Sequence, residues 1–163
     1  MGAAGAGKTR IGSALAEALG VLFVEGDTFH PAENIALMAA GIPLTDENRR
    51  GWLIALAQEL RAAREVPTGV VLACSALKRR YRDVLRAGDD TVRFIFLSTD
   101  AAVLRERLVT RSGHYMPPSL IDSQLEALEP PHADERAWTF DAREAPDMIV
   151  ASVVRLLQQE REI

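Results

Sequence analysis

The apolar positions of this chain alternate between short continuous runs and stretches of helical period, and that alternation predicts its elements. From Lys8 to Gly20, Ile11, Leu15, Ala18 and Leu19 share one helical face, and Gly20 suits a helix C-terminus. Val21–Val24 is a β-branched and aromatic run, long enough for a buried strand. Pro31 reads as the first residue of a helix running to about Gly41, and Pro43 breaks the chain. Thr45, with Asn48 three residues on, is an imperfect capping start for a longer helix that turns Trp52, Leu53, Leu56 and Leu60 inward. Turn chemistry at 66–69 leads to a second strand, Val70–Cys74. Ser75 is expected to cap a helix through Tyr81, Val84 and Leu85 to Gly88. Val92–Leu97 is a third strand, and Val103, Leu104 and Leu108 line the helix after it. A short helix at about Ser119–Leu128 stops at Pro130-Pro131. Ala137–Phe140 is a last strand, and Met148, Ile149, Val153, Leu156 and Leu157 face inward from a final helix.

Strands alternating with helices predict an α/β domain with a parallel sheet covered on both faces, a three-layer αβα arrangement. No repeat, linker or low-complexity stretch divides it, so residues 1–163 read as one domain. Composition adds limits. A net charge of −4 supplies no overall basic field for nucleic acid or an anionic membrane, so any phosphate must be held by local cations. No apolar run approaches the roughly 20 residues that span a bilayer. The single cysteine, Cys74, excludes an internal disulfide and suits a reducing cytoplasm.

Gly2-Ala3-Ala4-Gly5-Ala6-Gly7-Lys8-Thr9 matches G-x-x-x-x-G-K-[ST], the phosphate-binding P-loop. Small residues let the backbone wrap around a polyphosphate with its N–H groups inward, and the following helix adds its N-terminal dipole. Lys8 is then placed to reach the β- and γ-phosphate oxygens, and the Thr9 hydroxyl to ligate Mg²⁺. Glu25 and Asp27 follow the first predicted strand, at the end where open α/β sheets bind ligands. They are candidates for holding Mg²⁺ through water and for taking a proton from a substrate hydroxyl; the bland alternative is a solvated helix cap. His30, before Pro31, is more simply a turn residue, and Arg49 and Arg50 a solvated helix face. Lys78, Arg79, Arg80 and Arg82 cluster after the second predicted strand, where an anionic substrate would lie. Arg105, Arg107 and Arg111, followed by Ser112–Pro118, have the composition of an arginine-bearing lid, around 111–124, that would exclude water from ATP. Together these point to a small-molecule kinase.

The order of blocks resembles gluconate kinase. It comprises the P-loop, Gly26-Asp27-Thr28-Phe29-His30-Pro31, Gly41-Ile42-Pro43-Leu44-Thr45-Asp46, Cys74-Ser75-Ala76-Leu77-Lys78 with Tyr81-Arg82-Asp83, and Gly113-His114-Tyr115-Met116. Gln124 and Leu128-Glu129-Pro130 extend the match over nearly the whole chain. The resemblance implies a fold related to shikimate and adenylate kinases, with parallel strand order 2-3-1-4-5. It implies ATP- and Mg²⁺-dependent phosphorylation of D-gluconate at its 6-hydroxyl, in a homodimer. Carried over, Gly2 to Thr9 bind ATP, Lys8 stabilises the transferring phosphoryl group, and Asp27 orients or deprotonates the acceptor hydroxyl. Arg49, Lys78 and Arg82, with His30, bind gluconate; Arg107 lies against adenine; Arg111 and His114 close over the phosphates. Glu25 stands where this family usually has aspartate, so altered Mg²⁺ geometry is expected. A kinase for another hydroxy acid such as shikimate is one alternative, and a catalytically impaired nucleotide-binding remnant is another.

In the implied order, the strand that leads into the P-loop is the central one, and only Met1 precedes Gly2. Without it two buried sheet edges lack partners, each unmet group costing roughly 1–3 kcal/mol. The expectation is that the natural chain starts upstream, with apolar residues ahead of Gly2.

Overall fold

In the computed structural model, residues 1–65, 69–87, 89, 91–110 and 120–161 are described. The elements alternate as the apolar pattern predicts. Helix α1 (Lys8–Leu19) leads to β1 (Leu22–Glu25), a 3₁₀ turn (Gly26–Phe29), α2 (Ala32–Ala39) and α3 (Asp46–Ala63). Then come β2 (Val70–Ala73), α4 (Arg79–Arg86), β3 (Phe94–Ser98), α5 (Ala101–Thr110) and α6 (Leu120–Ala127). A second 3₁₀ turn (Ala133–Glu135), β4 (Ala137–Asp141) and α7 (Pro146–Arg161) complete the chain. The capping start at Thr45 is a full capping box: its side chain accepts from Asn48 N, and the Asn48 side chain accepts from Thr45 N. Gly20 ends α1 at φ 67°. The helix expected from Ser75 begins only at Arg79, because Ala76 sits at φ 45° and breaks any helical run before Lys78.

The strands form two parallel pairs, β1 with β2 (Glu25 opposite Ala73) and β3 with β4 (Ser98 opposite Asp141). Alternate side chains feed two cores, one on each sheet face. Val71, Ile95, Leu97, Trp138 and Phe140 join α1, α5, α6 and α7 around Ile11, Leu15, Ile121 and Ile149. Leu72, Cys74 and Phe94 join α3 and α4 around Trp52, Leu56, Tyr81 and Leu85. This is the three-layer arrangement that short all-apolar strands require. Cys74 is a core side chain whose thiol burial pushes up to about 11.

Backbone hydrogen bonds of Met1 and Gly2 link the two pairs. The Met1 ammonium donates to Ile95 O at 2.6 Å, Leu97 N donates to Met1 O at 3.0 Å, and Gly2 N donates to Ser75 O at 3.1 Å. These are the bonds of a strand lying parallel between β2 and β3. Behind them the free edges of β2 and β3 face a slot of about 490 Å³, lined by Ile11, Leu15, Val71, Leu72, Ile95 and Trp138 among others. The arrangement matches the implied order with its central strand represented by one residue.

Burial lowers the Met1 amine from 8.0 to about 5. Between those values the unfolded chain binds the extra proton, so stability of the chain starting at Met1 should rise as pH goes from 5 to 8. A chain carrying five or six apolar residues ahead of Met1 has an amide there instead. It should lose that pH slope and melt higher by roughly 5 °C or more, through ladder bonds worth about 1 kcal/mol each. Thermal unfolding of both chains across pH 5–8 checks this; equal melting points would show that the slot takes no strand.

Candidate active site

The P-loop turns back on itself from Gly2 into α1. Gly7, at φ 92°, supplies the left-handed turn that starts the helix, and no side chain caps the first turn. The leading N–H groups of α1 therefore point outward as an anion site. Lys8 folds its ammonium over the loop and donates to Ala3 O at 3.0 Å, so its charge lies in the loop's mouth. The Gln124 side chain, on α6, accepts from Ala4 N at 2.8 Å and braces the loop from outside. Arg107, on α5, donates to Gly5 O at 3.4 Å and to Ala142 O at 2.7 Å, joining the loop to the turn after β4.

The acidic side of the site hangs from the end of β1. Thr9 Oγ1 donates to Glu25 Oε2 at 2.6 Å, so the longer glutamate arm does reach the P-loop threonine. These two oxygens are hard donors of the kind Mg²⁺ takes alongside water and phosphate. Among the described residues no cluster of three or more His, Cys, Asp or Glu exists that would hold a metal by protein ligands alone. Asp27 lies in the 3₁₀ turn, half-buried, with no side-chain hydrogen bond among the described residues. The turn is held against β2 by Gly26, where an added Cβ would stand 2.5 Å from Ala73 O. Trp52 Nε1 donates to Gly26 O at 2.7 Å, and the His30 ring stacks on Trp52 at 4.3 Å between centroids. Burial lowers the His30 pKa, opposed by Asp27 and aided by Arg49, so this imidazole is neutral near pH 7.

The basic side is built where the N-termini of α3 and α4 meet. Arg49, Lys78 and Arg80 surround the Tyr81 ring at 5.6, 5.6 and 5.7 Å from its centroid. Asp46, the first residue of α3, lies among them. It accepts from Lys78 Nζ at 3.0 Å, from the Tyr81 hydroxyl and from Arg80. The Tyr81 hydroxyl and Lys78 hold its carboxyl down at about 2.

Arg82 is a correction to the sequence reading. It is fully buried and faces away from this cluster. Its guanidinium makes a two-pronged pair with Glu135 at 2.5 and 2.9 Å and donates to the carbonyls of Ala76, Leu77 and Glu129. A planar guanidinium fits that cage, and sealed there at 0% exposure it is out of a substrate's reach. Arg111 and His114, with most of the expected lid, lie outside the described residues. Its far end, α6, is joined to α5 by Arg105 and Asp122. Asp46 and Gln124 are the residues around the site that spacing did not single out. Each acts through a partner more than thirty positions away, and only the Thr45-Asp46 helix start hinted at one of them.

A family model described as shikimate kinase matches residues 4–157. The gluconokinase of Gluconobacter oxydans is 42% identical over 160 residues, covering 98% of this chain and 90% of that protein. The thermosensitive gluconokinase of Escherichia coli is 45% identical over 136 residues, 83% of this chain and 73% of that protein. The chain belongs to the gluconokinase family. A solved gluconokinase from Sinorhizobium meliloti superposes with a TM-score of 0.85 at 43% identity, over 99% of this chain and 93% of that one. An unliganded sugar kinase from a Janibacter species gives 0.91 at 44% identity, over 97% and 91%. A deoxyadenosine kinase from M. mycoides, 12% identical with a TM-score of 0.69, shares the gluconokinase fold alone.

Breaking the Arg82–Glu135 pair leaves one buried charge unmatched, so Arg82→Ala and Glu135→Ala should each cost about 3–5 kcal/mol of stability. Lys78→Ala should alter acceptor kinetics with little loss of stability. Denaturant unfolding of the three variants separates the two roles.

Proposed function

We infer that this chain transfers the γ-phosphoryl group of ATP to the 6-hydroxyl of D-gluconate, giving 6-phospho-D-gluconate. The observation that carries this reading is the pairing of a P-loop with a carboxylate and a separate cation cluster. All three leave the carboxyl ends of neighbouring parallel strands or the helices beside them. Phosphoryl transfer asks for positioning and positive charge rather than covalent chemistry. Gly2 to Thr9 offer backbone N–H groups to the phosphates, and Lys8 moves its ammonium from Ala3 O onto the transferring group. Bound Mg²⁺, held by Thr9 and through water by Glu25, would neutralise the phosphate oxygens. Asp27, unencumbered, accepts the hydroxyl proton and aims the oxygen at phosphorus. Arg49 and Lys78 receive the acid's carboxylate, joined by Arg80, and neutral His30 offers a hydrogen bond to a hydroxyl. Arg107 is assigned to the adenine, and Arg111 and His114 to closure over the phosphates. The reading includes a homodimer working in the cytoplasm.

A coupled ADP-release assay over a panel of sugar acids and shikimate tests the substrate. Turnover with gluconate should far exceed the others; faster turnover of another acid would reassign it. ATP binding with no ADP release for any acceptor would mark a nucleotide-binding remnant. Lys8→Ala should lower kcat at least about a hundredfold with the fold intact. Asp27→Asn should lower it by roughly 10²–10⁴ with ATP affinity nearly unchanged, and a normal rate would exclude Asp27 as base.

A further inference from the structure

Three cations and one carboxylate share the surface around Tyr81. Arg49 spends its guanidinium on Leu44 O and the Tyr81 hydroxyl, while Lys78 and Arg80 both turn to Asp46. Asp46 thus sits in a seat made of an ammonium, a guanidinium and a phenol hydroxyl, the combination that recognises a carboxylate. Nothing in packing holds it there. Its side chain is 42% exposed, it opens α3, and the chain before it turns at Gly41, at φ 73°, and Pro43. Rotated out to water, Asp46 keeps the favourable field of the α3 N-terminus, which offsets part of what it gives up on leaving the seat. Tyr81, by contrast, is buried in α4, and Lys78 stands at that helix's N-cap.

We propose that Asp46 is a built-in stand-in for the substrate carboxylate, seated on Lys78, Arg80 and Tyr81 until an aldonate displaces it. This rests on the gluconate reading and deepens it. The seat stays neutralised against small anions, which bring one carboxylate and nothing else to replace the one they remove. A polyhydroxy acid also brings hydroxyls to the acidic side of the site, and those contacts tip the exchange. Asp46 is therefore a specificity residue that raises KM for acids in general and discriminates against short ones most.

The test is steady-state kinetics of Asp46→Asn beside the wild type, with gluconate varied and acetate as an added inhibitor. Losing an exposed ion-paired competitor should lower KM for gluconate by roughly two- to fivefold. The kcat should stay within about twofold, KM for ATP should not move, and acetate should inhibit more strongly. An unchanged or raised KM for gluconate would mean that Asp46 merely positions Lys78 and Arg80, and would overturn the proposal alone. Absence of gluconate-dependent turnover in the wild type would overturn the substrate reading and the proposal together. Asp46→Ser is read the same way if the asparagine variant does not fold; failure of both to fold would make Asp46 a structural residue and also overturn the idea.

Discussion

Three backbone hydrogen bonds at Met1 and Gly2 tie the two halves of the sheet together, and the phosphate loop starts from them. On one side Gly2 holds to the segment after β2, and on the other Met1 holds to β3. The P-loop therefore emerges at the seam between the strand pairs, the point from which it faces the ends of β1 and β2 on one side and α5 on the other. A seam so short leaves two strand edges facing a slot, and the rest of the joint falls to α1, which packs on β1, β2 and α7. Side-chain packing from both cores does what a continuous ladder would otherwise share.

Around that seam the charged residues divide into two kinds by burial. Arg82 and Glu135 are sealed from water and saturate one another, fixing the segment after α6 against the loop that precedes α4. Lys78, four residues earlier, stays at the rim with Asp46. Both are basic residues of one short stretch, but a buried guanidinium without a full set of acceptors would be very costly, so Arg82 is committed to structure. The rim cations carry no such constraint and stay partly exposed, paired with Asp46.

Much was legible in the residues themselves. The alternation of apolar runs and helical stripes yielded every strand and helix of the described chain, with errors of a few residues at their ends. The P-loop, and the placing of Glu25 and Asp27 at and just past the end of the first strand, were readable because each lies within a short contiguous stretch. Less was readable at Ser75–Lys78, where a helix is expected and none forms; the left-handed turn at Ala76 delivers its carbonyl to Arg82, an arrangement set by a partner six residues on and a cage drawn from three loops.

By itself the sequence determined the layering, the nucleotide loop and the family, since apolar period and motif spacing are local properties of the chain. Which arginine stays at the rim and which is entombed, what braces the P-loop, and what pairs with Lys78 were decided only in three dimensions. Arg79, Arg80 and Arg82 are equivalent as letters. One meets Asp134, one Asp46 and one Glu135, and helical rotation of about 100° per residue, together with the loops it brings near, assigns them.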